Sequence, residues 1–260
     1  MFQLSIKKEE LLTALQIVAG AVDKKQSLAI LSNFLLTIDA SFLTITATDL
    51  EIEISAKVAC EAQIEVEAAK ASSTVPAKKL IDIIRSLDDN TSPNIVCNQS
   101  VVTIKQGRSS FKLTTLPAEQ YPISDDECNE VELNLPRTTL IQLLQSTHFA
   151  MSQQDVRVFL NGLYLEFESN RITAVATDGH RMAVNHYSCT NQTQGKLLVP
   201  KRAVQELLRL LPGSTDENVL LTAGKSHFNV VTNQFTFLSK LIEARFPPYA
   251  KVIPRDQTSK

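Results

Sequence analysis

The chain has 260 residues, of which 43% are hydrophobic and 21% charged, and a formal net charge of -2. That composition is ordinary for a soluble globular protein and excludes collagen-like, low-complexity and strongly basic chains, while the length predicts two domains. No apolar run approaches the roughly 18 residues of a membrane helix. The opening MFQLSIKKEE lacks the apolar core of a signal peptide. Cys60, Cys97, Cys128 and Cys189 are widely spaced, without a Cys-x-x-Cys metal motif. The expectation is a cytoplasmic protein with free thiols, no cofactor and no membrane partner.

In chain order, Lys8 to Ala19 fits a helical frame through Leu12, Leu15 and Ala19. Leu43, Ile45 and Ala47, then Leu50, Ile52 and Ile54, alternate with polar residues as half-buried strands do. Pro76 opens a helix with apolar residues at Leu80, Ile83, Ile84 and Leu87. The acidic stretch Ile123–Glu130 suits a linker. Pro136 opens a helix with Leu140, Leu143, Leu144 and Thr147, and Pro200 one with Val204, Leu207, Leu208 and Leu211. The i, i+3, i+4, i+7 spacing gives each an apolar stripe, and proline sits where its missing N–H costs least. Phe228 and Val230, then Phe235 and Phe237, read as further strands. Antiparallel strands with helices segregated to one face predict an α+β architecture.

The chain also repeats itself. TITATDLEIEI (Thr44–Ile54) matches ITAVATDGHRMAV (Ile172–Val184), which sets Asp49 opposite Asp178, 129 positions apart. TVPAKKLIDIIRSL matches LLVPKRAVQELLRLL with Pro76 opposite Pro200, 124 apart, and TLPAEQYP matches KLIEARFP with their final prolines 125 apart. Three matches in one order at nearly one offset predict two tandem copies of one domain, over residues 1–124 and 129–255.

Charge is sorted as well. The helices opened by Pro76, Pro136 and Pro200 carry seven basic residues (Lys78, Lys79, Arg85, Arg137, Lys201, Arg202, Arg209) against two acidic ones, Asp82 and Glu206. Lys78 aligns with Arg202, and Arg85 with Arg209. A solvated helix face explains any one of these; the repeated bias in an acidic chain predicts a sequence-blind, phosphate-facing surface. Asp178 and His180 could form an acid–base pair, or bind a metal with Asp155. However, no nucleophile motif, Gly-rich loop or metal-ligand spacing accompanies them, and a structural histidine at a turn is the plainer alternative.

QQDVRVFLNG (Gln153–Gly162), VATDGHRMAV (Val175–Val184), LLVPKRAVQELLRLL (Leu197–Leu211) and EARFPPYAKVIP (Glu243–Pro254) stand together with VPAKKLIDI and GRSSFKLTTLPAEQYP. In this order and spacing they resemble the bacterial β sliding clamps, the processivity subunits of the replicative DNA polymerase, over essentially the whole chain. The resemblance implies the DNA clamp fold, no catalysis, and a homodimeric head-to-tail ring around duplex DNA, with helices lining the hole. It implies DNA-facing roles for Lys25, Lys78, Lys79, Gln154, Lys201 and Arg202. A pocket for short motifs of polymerases, clamp loader and repair proteins is carried over to Arg157, Leu160, Thr177, Gly179, His180, Arg181, Met182, Pro247 and Val252. Arg108, Phe111 and Leu113 match the ring interface. The family has three such domains per subunit and only two are found here, so the ring should not close normally and the pocket should be incomplete. Ser110, Phe159 and Met182 stand where the family usually has arginine, tyrosine and leucine. The remaining alternatives are a protein-binding scaffold that never touches DNA, and a hydrolase built on Asp178 and His180.

Overall fold

The computed structural model describes residues 2–22, 28–39, 41–64, 71–98, 100–124, 130–189 and 193–253. Lys25, Cys128 and most of the expected linker lie outside them. The chain divides into two compact units: Met1–Asp125 with Asn229–Ser239, and Asp126–Phe228 with Lys240–Lys260. The segment Asn229–Ser239 thus belongs to the first unit in space, although it lies within the second repeat in sequence.

In the first unit, one antiparallel sheet runs Glu61–Ile64, Phe2–Ser5, Asn94–Cys97, Val101–Gln106, Ser109–Thr114. In the other, Phe235–Lys240, Ile52–Ala59, Phe42–Thr48, Asn33–Ile38 and Ala71–Pro76 are successive neighbours. Phe34, Ile45, Ile54 and Phe237 are fully buried, and each such side chain contributes about 1.5–3 kcal/mol. In the second unit, Met182–Ser188, Arg171–Thr177, Gly162–Glu168 and Gly195–Pro200 form a four-stranded sheet, and Val131–Pro136 pairs with Asn218–Ala223.

Four α-helices occur among the described residues: α1 (Lys8–Val18), α2 (Ala77–Ser86), α3 (Arg137–Gln145) and α4 (Lys201–Leu210). Those opened by proline bury the expected stripes, led by Leu80 and Ile84, Leu140, Leu143 and Leu144, and Val204 and Leu207. Each proline ends a strand and occupies the N-cap rather than the first helical turn. Its fixed φ suits both the extended strand and the entry to the helix.

The first helix corrects the expected register. Leu11, Ala14, Leu15 and Val18 are buried, whereas Leu12 and Ala19 are half-buried. Its frame is set by Lys8, whose ammonium is buried and donates to the Leu87 carbonyl at 2.5 Å and to Asp89 at 2.6 Å. A lysine there closes off a free carbonyl beyond the C-terminus of α2. Leu50 is also not a strand residue: it is an exposed turn residue at φ 72°.

Candidate functional site

The two Thr-Asp sequences fold into the same turn. In the first unit the Asp49 carboxylate accepts the N–H groups of Glu51 (3.0 Å) and Ile52 (2.9 Å), and Thr48 Oγ1 donates to the Ile52 carbonyl at 2.8 Å. In the second, Asp178 accepts the N–H groups of His180 and Arg181, both at 3.0 Å, and Thr177 Oγ1 donates to the Arg181 carbonyl at 2.7 Å. The residue after each aspartate is left-handed: Leu50 at φ 72° and Gly179 at φ 91°. Glycine adopts that conformation without strain and leucine does not. Leu50→Gly is therefore expected to raise stability by up to about 1 kcal/mol, less the added freedom of the unfolded chain. Gly179→Leu should lower stability by a similar amount, and thermal denaturation of the two variants checks the pair.

The same backbone carries opposite surfaces. Ile52 is buried, whereas its counterpart Arg181 is exposed. Arg181 donates to Asp178 Oδ2 and to the Phe149 carbonyl, each at 3.0 Å, and its guanidinium lies 5.6 Å from the Phe149 ring centroid. His180 is exposed. The N–H groups of His180 and Arg181, then the Arg181 guanidinium, hold the Asp178 carboxyl at about 2.

The adjoining loop is locked by its own polar residues. Asp155 receives the Arg157 N–H at 2.8 Å and its guanidinium at 3.0 Å, which holds the Asp155 carboxyl at about 2. Asn161 closes the loop by accepting the Asp155 N–H and donating to the Asp155 carbonyl, at 2.8 and 2.9 Å. Arg157 is thereby laid over Gly179, where a methyl group would lie 3.3 Å from its Nη2. This contact is a second reason for glycine there.

The structure thus gathers Arg157, Thr177, Gly179 and Arg181, with His180 in the same turn and Met182 paired across the strands with Thr177. Leu160 is buried within the short helical turn Val158–Asn161. Pro247 follows Phe246, whose ring meets Phe159 edge-on with centroids 6.3 Å apart. Val252 is 72% exposed and follows the short turn Tyr249–Lys251. Phe149 and Asn161 were not singled out in the sequence, and Asp155 only as a candidate metal ligand. Their roles rest on hydrogen bonds and a ring contact that no motif spacing encodes.

The helical charges need two corrections. Glu206 is not on the outward face: it is buried and paired with Arg202 at 3.5 Å and with Arg209. Its position on α4 is set by the apolar stripe around it, and the two arginines fold over it. Arg137 also turns inward, donating to the carbonyls of Asp216 (2.7 Å) and Leu211 (2.9 Å). Lys78 and Lys79 are exposed on α2, Gln154 is exposed, and Lys201 donates to the Ser152 carbonyl at 3.3 Å. Of the expected ring-interface residues, Arg108 is exposed and Phe111 half-buried, but Leu113 packs inside the first unit. Phe111 and Leu113 share the inward face of their strand, and Ser110 and Lys112 point outward.

Both carboxylates of the suspected acid–base or metal site are committed to backbone N–H groups and arginine. The two tandem units carry the same turn with different surfaces. The family model for the DNA polymerase III beta subunit N-terminal domain matches residues 2–125, and that for the central domain matches residues 134–248. The beta sliding clamp of Haemophilus influenzae is 41% identical over 257 residues, 98% of this chain and 69% of that protein. The clamp of Pseudomonas putida is 40% identical over 253 residues, 96% of this chain and 68% of that protein. A crystal structure of the Pseudomonas aeruginosa sliding clamp bound to griselimycin superposes with a TM-score of 0.89 at 38% identity, covering 98% of this chain and 68% of that one. The chain belongs to the DNA polymerase III beta-subunit family, the bacterial sliding clamps, and its role is that of a non-catalytic processivity factor.

Proposed function

We propose that the chain comprises the first two clamp domains, 1–124 and 129–255, of a cytoplasmic ring-forming subunit that tethers a polymerase to duplex DNA. Polymerase subunits, the clamp loader and repair proteins dock through short linear motifs at the Thr177–Met182 turn. In this reading Met182 and Pro247 form apolar walls over Leu160, Val252 closes the far side, and Arg157, His180 and Arg181 orient polar groups of the peptide. Lys25, Lys78, Lys79, Gln154, Lys201 and Arg202 face the phosphates. Phe111, on the edge strand braced by Leu113, and Arg108, in the turn before it, meet a second subunit. The observation that carries the partner site is the contrast between the two Thr-Asp turns: one backbone geometry, buried Ile52 in one unit and exposed Arg181 in the other.

The test is binding of a fluorescent Gln-Leu-rich peptide, read by polarisation. His180→Ala and Met182→Ala are each expected to weaken it about tenfold, the effect of losing one well-placed contact. Binding that neither substitution alters would move the site elsewhere. Binding that returns only when a third domain is added would make the pocket composite.

A further inference from the structure

The four-stranded sheet of the second unit turns Leu163, Leu165 and Phe167 into the core and alternates Tyr164, Glu166 and Glu168 to its other face. The stretch Ala244–Ala250 crosses that face and leaves a cleft of about 490 Å³, lined also by Arg171 and Lys196. Phe246 stacks on Tyr164 with centroids 4.7 Å apart and planes 7° from parallel. Tyr249 Oη donates to Glu166 Oε2 at 2.8 Å, and Lys196 Nζ lies 3.3 Å from Oε1. Burial and the neighbouring Glu166 push the Tyr249 phenol up to about 12, so it remains a donor. Pro247 and Pro248 stiffen the rim.

The repeat shows that these residues are a departure. Asn33 pairs with Pro76 as Gly162 pairs with Pro200, so Leu35, Thr37 and Ser72 are the counterparts of Tyr164, Glu166 and Lys196. In the first unit Leu35 is buried with Tyr121, and Thr37 shares a 3.2 Å hydrogen bond with Ser72. The first unit keeps a cleft there, lined by Ser72 and Pro117–Glu119, with Tyr121 in the place of Phe246, so what the second unit adds on the strands is Tyr164 and the charged pair Glu166 and Lys196.

We infer that this cleft is a second subsite for the partner peptide, taking an apolar side chain and an adjacent carboxylate from residues that flank the motif. It rests on the peptide-site reading above. Phe159 of the adjoining loop meets Phe246 of the cleft edge-on, so the loop beside the turn borders the cleft. The stacked rings offer an apolar wall. Glu166 already accepts from Tyr249 and Lys196, and Glu168 is paired with Arg171. Arg245 on the lining has no ion pair among the described residues. The unspent charge is therefore positive and suits a carboxylate.

The experiment compares, on the full chain, the motif peptide alone with the same peptide extended by Leu-Asp at either end. One extension is expected to tighten Kd about tenfold. Arg245→Glu should remove that gain and leave the unextended peptide unchanged, whereas His180→Ala should weaken both. Replacing the added Asp by Lys should lose the gain on the native chain and recover it on Arg245→Glu. Extended and unextended peptides of equal affinity, or a gain indifferent to both Arg245→Glu and Lys196→Glu, overturn the subsite alone. A motif peptide that binds no form of the chain overturns the turn site and this inference together.

Discussion

Reversing Lys78 and Lys79 to glutamate is expected to weaken association with duplex DNA on the order of 10²-fold at about 0.1 M salt. The slope of log K against log[salt] should shrink by about 2. Both side chains are exposed on α2 and free to meet phosphate. Each phosphate contact releases a condensed counterion, and that release supplies most of the affinity of a sequence-blind surface. Arg202→Ala should do less, because its guanidinium lies against buried Glu206 and is already partly neutralised. Glu206→Gln, which removes the negative charge that Arg202 and Arg209 share, should strengthen DNA association. Anisotropy titrations of labelled duplex over a range of salt concentrations measure all three variants. An unchanged slope in the double lysine variant would make α2 an ordinary solvated face and return the scaffold that never touches DNA.

Asp178→Ala is expected to lower affinity for the motif peptide tenfold or more, because that one carboxylate holds the N–H groups of His180 and Arg181 and the Arg181 guanidinium. Without it the turn keeps its Thr177 bonds and the backbone bond from Asp178 to Arg181, and the Arg181 guanidinium is held by the Phe149 carbonyl alone. Asp178→Asn retains an acceptor oxygen and should lose less. The pH dependence follows from the same bonds. The folded carboxyl titrates at about 2 and the ordinary value is 3.8, so the depressed carboxyl contributes stability that is complete above about pH 4. That contribution drains away as pH falls toward about 2, and Asp155 behaves likewise. Neither group should make the turn sensitive to pH between about 5 and 8. A variant at Asp178 that binds like the native chain would show that the turn is held by other means.

The enzyme alternative fails on the same geometry that supports the platform. A general acid–base pair needs a carboxylate free to orient the imidazole, and Asp178 spends its oxygens on backbone and guanidinium. Sequence proximity of Asp178 and His180 suggested a pair; the turn directs the carboxylate to the His180 N–H instead.

Elements whose information is local can be read from the residues alone. The apolar stripes of α2, α3 and α4, the prolines that introduce them and the repeated Thr-Asp turn all depend on neighbours within a few positions, so periodicity reveals them. Family membership is equally plain in the residues, because the order and spacing of several motifs are properties of the chain. Tertiary structure decided what depends on distant partners. Lys8 sets the face of α1 only because Leu87 and Asp89 come to meet it, and Glu206 is buried only because Arg202 and Arg209 close over it. Arg157 reaches Gly179 across twenty-two positions of sequence, and the cleft beside Tyr164 exists only where Ala244–Ala250 crosses the sheet. Composition and spacing specify which side chains are available; packing and hydrogen bonding between remote segments decide which are spent within the fold and which remain for a partner.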